Sequence, residues 1–151
     1  MKIIETKVYL FDELTDDAKE KARDWWREGG LDQEDAWDSV REDAEQVGLK
    51  ITSLDDYRNN EGKFIVSASD TVRLIKENHG EHCDTFKTAL KYSSLLVDQE
   101  DEDTAYEFLD DLLEDYRIML NKEIEYRYSD ESVDENLRCN EYTFTENGKR
   151  F

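Results

Sequence analysis

The chain has 151 residues and a mass of 17.9 kDa, the size of one domain. Forty Asp and Glu against twenty Lys and Arg leave a formal net charge of −20, a surface that repels phosphates and anionic membranes and so argues against ordinary DNA or RNA binding. A hydrophobic content of 37%, with 11% aromatics, excludes a disordered chain.

The first predicted element is a strand over residues 2–11, where Ile4, Thr6, Val8 and Leu10 alternate with Ile3, Tyr9 and Phe11. Thr15 reads as a helix N-cap ahead of Asp16 and Asp17, with Leu14, Ala18, Ala22, Trp25 and Trp26 at helical spacing up to Gly29-Gly30. A second helix begins near Asp32, carries Ala36, Trp37, Val40, Ala44 and Val47 on one face, and ends at Gly48. Residues 49–57 and 63–69 read as two strands joined by the turn Arg58-Asn59-Asn60-Glu61-Gly62. Ser69 or Asp70 then caps a helix with Val72, Leu74 and Ile75, and Asp84 caps another with Phe86, Ala89, Leu90 and Leu96. The longest helix is predicted over 104–128, followed by a short one capped by Ser129 and carrying Val133 and Leu137. A strand over 141–145 precedes the Asn147-Gly148 turn. The expected fold is therefore one α+β domain over 1–151: a small, mostly antiparallel sheet with five to six helices, one of them long, acidic and amphipathic.

The charge is not spread evenly. Residues 50–92 carry seven acids and seven bases, whereas residues 1–49 carry fifteen and seven, and residues 93–128 carry twelve and three. The densest run, 98–115, holds ten acids and no base. At 100° per residue, Asp103, Glu107, Asp110, Asp111, Glu114 and Asp115 fall in a sector of roughly 140°, opposite Ala105, Leu109, Leu112 and Tyr116. Acids from Glu102 to Asp115 average about 3 Å apart along the axis, near the roughly 3.4 Å per phosphate of one DNA strand. Such a ridge suits a basic protein groove that otherwise holds nucleic acid. The candidate partner-binding residues are Asp98, Glu100, Asp101, Glu102, Asp103, Glu107, Asp110, Asp111, Glu114 and Asp115, with Asp32, Glu34, Asp35 and Asp38 as a second patch. The same ridge also fits a merely solvated face or adaptation to high salt.

Candidate chemistry is sparse. His79, His82 and Cys83 are weak metal-ligand candidates, with Asp84 or Cys139 to complete a set, but Gly80 between the histidines reads more simply as an inter-helix turn. No G-x-S-x-G, phosphate-binding glycine loop or dinucleotide fingerprint occurs, so no catalytic residue, metal or cofactor is expected. Trp25, Trp26 and Trp37 read first as core, although one of the adjacent pair must lie near a rim, where it would suit an interface. No apolar run reaches the roughly 18 residues of a membrane span, and Met1-Lys2-Ile3-Ile4-Glu5 lacks a secretory h-region. A cytoplasmic protein is expected, with Cys83 and Cys139 as reduced thiols.

Three stretches, residues 10–22 (LFDELTDDAKEKA), 77–89 (ENHGEHCDTFKTA) and 140–149 (NEYTFTENGK), together resemble small acidic phage and prophage proteins of unassigned function, some described as antitoxin-like. The resemblance implies a phage setting and the host cytoplasm, where small acidic proteins inhibit restriction or CRISPR machinery by occupying its nucleic-acid grooves. The expected function is a non-enzymatic inhibitor of that anti-restriction or anti-CRISPR kind, acting as a DNA-mimic-like surface on a basic, nucleic-acid-binding host protein. The alternatives are an antitoxin-like or regulatory protein-binding module and, less favoured, a metal-binding module or enzyme.

Overall fold

The computed structural model describes residues 1–29, 33–54, 60–96 and 101–151. In chain order the elements are β1 (Tyr9–Leu10), a 3-10 turn (Phe11–Glu13), α1 (Asp16–Gly29), α2 (Gln33–Gln46), β2 (Leu49–Leu54), β3 (Asn60–Phe64), α3 (Ala68–Asn78), α4 (Asp84–Ser93), α5 (Glu102–Tyr128), α6 (Asp130–Cys139) and β4 (Thr143–Phe144). The fold is α+β, but the strands form two separate two-stranded antiparallel sheets, β1 with β4 and β2 with β3. The chain divides into two compact units, one made of Met1–Gln33 with Glu123–Phe151 and one of Glu34–Lys122.

In the first unit the caps behave as their residues dictate. The Thr15 hydroxyl accepts the Ala18 N–H at 3.3 Å, and Ser129 accepts that of Ser132 at 3.3 Å, so α1 and α6 each begin with a satisfied donor. Their shared core is Phe11, Leu14, Ala18, Ala22, Val133, Leu137 and Phe144, with Trp25, Trp26 and Tyr142 packed at its margin. Ala18 and Ala22 are the buried side chains of α1, and their small size lets α6 approach closely enough for Arg23 to clamp Asp134 with two hydrogen bonds of 2.7 and 3.0 Å. Arg27 reaches both the Tyr128 carbonyl at 3.0 Å and Asp130 at 2.5 Å.

The strand expected over residues 2–11 shortens to Tyr9–Leu10, because β4 supplies only Thr143 and Phe144 as partners; residues 1–8 have no regular structure. The strand expected over 141–145 shortens correspondingly. The chain then turns at Gly148, which has φ +84°, a conformation that costs other L-residues roughly 1–2 kcal/mol. A Cβ at that position would also collide with the Ala18 carbonyl in α1.

In the second unit α2 buries Ala36, Val40 and Ala44 and, as expected, is followed by Gly48 in a left-handed conformation, φ +83°, with Val47 also buried. The hairpin differs from expectation: Asn60, Glu61 and Gly62 belong to β3, and Gly62 pairs with Ile51. Its missing side chain serves packing instead of turning, since a Cβ there would lie 2.8 Å from the Lys50 carbonyl and 2.9 Å from Leu113 of α5. Residues 55–59, which include Arg58 and Asn59 of the predicted turn, lie outside the described residues. The cap of α3 is Ser67, two residues before the predicted Ser69, and its hydroxyl accepts the Asp70 N–H at 3.1 Å. Cys83, and not Asp84, is the N-cap residue of α4. That helix exposes Leu90 and buries Thr85, Ala89 and Tyr92. Phe64 of β3, Phe108 of α5 and Tyr92 of α4 meet with ring centroids 5.7 and 5.1 Å apart, which fixes α5 against both neighbours.

Glycine substitutions test this packing. Gly148→Ala should destabilise the first unit by about 2–4 kcal/mol, from the left-handed φ and the carbonyl clash together. Gly80→Ala, which meets nothing within 4 Å, should change the thermal midpoint little, and a calorimetric comparison of the two variants checks both expectations.

Candidate functional site

The acidic face of α5 is built by its opposite face. Phe108, Leu109, Leu112, Leu113, Tyr116 and Leu120 are buried, and each such side chain contributes roughly 1.5–3 kcal/mol. The like-charged i,i+4 pairs Asp103/Glu107, Glu107/Asp111, Asp110/Glu114 and Asp111/Asp115 each oppose the helix by only a few tenths of a kcal/mol. Burial therefore wins by several-fold. The helix also starts two residues earlier than expected: Asp101 accepts the Thr104 hydroxyl at 3.1 Å and, through its carbonyl, the Ala105 N–H at 2.9 Å. Glu102 and Asp103 thus lie in the first turn, where the helix dipole favours them.

The predicted ridge divides lengthwise. Asp101, Glu102, Asp103, Glu107 and Asp110 are exposed. Asp111, Glu114 and Asp115 are half-buried and engaged within the unit. The Tyr92 hydroxyl donates to Asp111 at 2.6 Å, and Lys91 stands 3.5 Å from the same carboxylate. Arg117 grips Glu114 at 2.5 and 2.9 Å and, with its own charge, holds that carboxyl below its usual range. Asp115 accepts the Thr88 hydroxyl at 2.5 Å. Burial pushes Asp115 up to about 6, against the lowering effect of Thr88 and with the charges of Asp84, Asp111 and Glu114 adding to the rise.

The wheel accounts for Asp115, about 20° from Phe108, and for Asp111, about 60° from it; Glu114 lies between Asp103 and Glu107 on the wheel and is engaged instead by Arg117 of its own helix and by Asn60 of β3. The absence of bases within the run 98–115 is made good from α4 and from Arg117. In the second patch Glu34 and Asp35 are exposed in the first turn of α2, and Asp38 pairs with Arg41 at 2.5 Å. Asp32, Asp98 and Glu100 lie outside the described residues.

The weak metal candidates are not gathered into a ligand set. Among the described residues no three His, Cys, Asp or Glu converge as ligands. His82 and Cys83 are exposed, while the His79 side chain is 8% exposed and turned inward. His79 Nε2 stands 3.1 Å from Asp43 and its Nδ1 2.6 Å from the Thr85 hydroxyl; Tyr116 donates to the same Asp43 oxygen at 2.8 Å. With Nε2–H given to Asp43, Nδ1 of the neutral ring accepts the Thr85 proton. The His79 contact and the Tyr116 bond hold Asp43 below its ordinary range against the opposing effect of burial.

Carboxylate, imidazole and hydroxyl follow one another here as in a nucleophile relay. Thr85, however, is 1% exposed, so its oxygen is closed to a substrate. The sequence motifs do not single out Asp43, yet 36, 40, 43 and 47 are spaced by four, three and four, which places Asp43 beside the apolar stripe of α2. Cys83 and Cys139 are both free and exposed.

The state of Asp115 gives a test. A carboxyl raised from 3.8 to about 6 favours the fold while protonated, and that contribution is lost as pH rises through 6. Asp115→Asn, which keeps an acceptor for Thr88, should raise stability at pH 7–8 by about 1 kcal/mol after allowance for solvent screening. The gain should vanish near pH 4 in chemical denaturation. Compared with protein-family models, with curated proteins and with solved structures, the chain finds no match in any of the three.

Proposed function

We propose that this protein is a non-enzymatic, phage-type inhibitor that presents an acidic surface to a basic, nucleic-acid-handling host protein. The observation that carries the reading is the outward half of α5. Asp101, Glu102, Asp103, Glu107 and Asp110 are exposed together at the start of the helix, and no base occurs from Asp98 to Asp115. Lys and Arg of a groove that ordinarily engages phosphates would pair with these carboxylates, and the long-range field of the −20 chain would accelerate encounter.

The inward half has a different part. Asp111 and Asp115 fasten α5 to α4 and so hold the outward acids on a rigid support, while Glu114 is held by Arg117 within the helix. From Asp103 to Asp110 the outward acids are Asp103, Glu107 and Asp110, about 5 Å apart on average along the axis. The reading therefore rests on accumulated charge and not on a phosphate-by-phosphate match. The aromatic alternative, an interface centred on Trp25 or Trp26, is less supported, because Trp25 packs edge-on against Tyr142 and Phe144 at centroid distances of 5.3 and 6.1 Å.

Capture from a bacterial lysate by the immobilised chain tests the proposal. The expected result is a nucleic-acid-binding protein that is retained at low salt, released at high salt and displaced by added DNA. The triple variant Asp103→Lys, Glu107→Lys, Asp110→Lys should weaken that capture about 100-fold while leaving the circular dichroism spectrum unchanged. Salt-insensitive capture, or capture that survives the triple reversal, would refute it.

A further inference from the structure

The arm preceding β1 is the part of the first unit whose sequence and structure disagree most. Residues 2–11 alternate as a strand, yet residues 1–8 adopt no regular structure, with Ile3 82%, Ile4 83% and Val8 42% exposed. The sheet they lead into has a vacant edge among the described residues. β4 lies on one side of β1, and the chain end at Arg150 bridges Phe144 on the far side of β4. β1 is thus an edge strand continuous with an exposed apolar segment, the arrangement that recruits another strand.

We propose that this arm pairs antiparallel with the same arm of a second copy of this chain, about a two-fold axis through Thr6. The register identifies the occupant. An axis at Thr6 sets Glu5 opposite Lys7, Ile4 opposite Val8 and Ile3 opposite Tyr9, each twice by symmetry. Every pair is favourable, two ionic and four apolar, and in an antiparallel ladder directly opposed residues share a face. Moving the axis to Glu5 opposes two carboxylates, and moving it to Lys7 opposes two ammonium groups. Only even shifts keep the faces in register, so the flanking alternatives are both penalised. The pairing stops near Tyr9, since the Leu10 N–H is already donated to Glu13 at 2.8 Å. A foreign strand would meet the same backbone edge but would have no reason to match this sequence against its own reversal. The inference does not depend on the acidic face of α5.

The test is a charge swap read by sedimentation equilibrium on the full chain. The wild type should form a reversible dimer. Glu5→Lys and Lys7→Glu, which each put like charges opposite one another twice, should each weaken dimerisation roughly tenfold or more. The double variant Glu5→Lys, Lys7→Glu should return to within about threefold of the wild type, an outcome that simple loss of folding or a general charge effect does not produce. Both substitutions lie outside the core, and unchanged circular dichroism of all three variants verifies the fold. A chain that stays monomeric at its highest soluble concentration overturns the proposal. So does a dimer indifferent to the single variants, or one that the double variant fails to restore, and so does an arm that captures a different protein while the chain stays monomeric.

Discussion

Phe108, Leu112, Tyr116 and Leu120 recur every four residues along α5 and are all buried; holding them inside fixes where each acid on that helix goes. A rigid rod has one rotational freedom about its axis, and Phe108 between Phe64 and Tyr92 removes it. Gly62 belongs to the same constraint, because Leu113 lies against the hairpin only where β3 lacks a side chain. Once the rotation is set, Asp115 and Asp111 must face α4, and Asp103, Glu107 and Asp110 must face away. The exposed acids are thus a consequence of hydrophobic packing, with the repulsion between them too small to alter it.

The polar interior of the second unit follows from the same packing. Tyr116 is fully buried, so its hydroxyl needs an acceptor, and Asp43 supplies one while also accepting from His79. Three elements, α2, the end of α3 and α5, are joined at a single carboxylate, and His79 passes the connection to Thr85 at the start of α4. Asp43 and Glu114 are lowered and Asp115 is raised, so acid acts on the unit in opposing directions. Protonating Asp43 or Glu114 removes a favourable contact of the ionised form, whereas protonating Asp115 relieves a burial cost.

Local chemistry was readable where a residue satisfies its own neighbours. Thr15, Ser129 and Gly48 each act within four residues of themselves, and each was recognised from sequence. Errors arose where a distant partner decides. Gly62 looked like a turn residue because glycine serves both turning and close approach, and nothing local shows that Leu113 lies over it. Leu90 looks like core at helical spacing, but the buried face of α4 is the one carrying Thr85, Ala89 and Tyr92, and Leu90, roughly 100–160° from them, is left outside. The arm over 2–8 has a strand pattern, and pattern alone cannot supply a ladder when β4 offers two residues. Helical spacing puts the acids of α5 in one sector, but which of them turn inward is settled only with Tyr92 and Thr88 in position.

Charge also does different work in the two units. The first holds seventeen acids against ten bases, and the second twenty-three against ten. In the first, arginines convert acids into connections: Arg23 with Asp134, Arg27 with Asp130 and Arg138 with Asp12 tie α1 and the 3-10 turn to α6. Arg23 and Arg138 also lie over the Phe11 ring at 5.6 and 5.5 Å, so the same cations that pair the acids cover the core aromatic. In the second, Lys91 attends Asp111 on the α4 side of α5 and Arg117 pairs with Glu114 within that helix, while Asp103, Glu107 and Asp110 are exposed. Removing Asp134 should therefore loosen α1 from α6, whereas removing Glu107 should leave the fold unchanged, because only the first of these carboxylates is part of what holds the chain together.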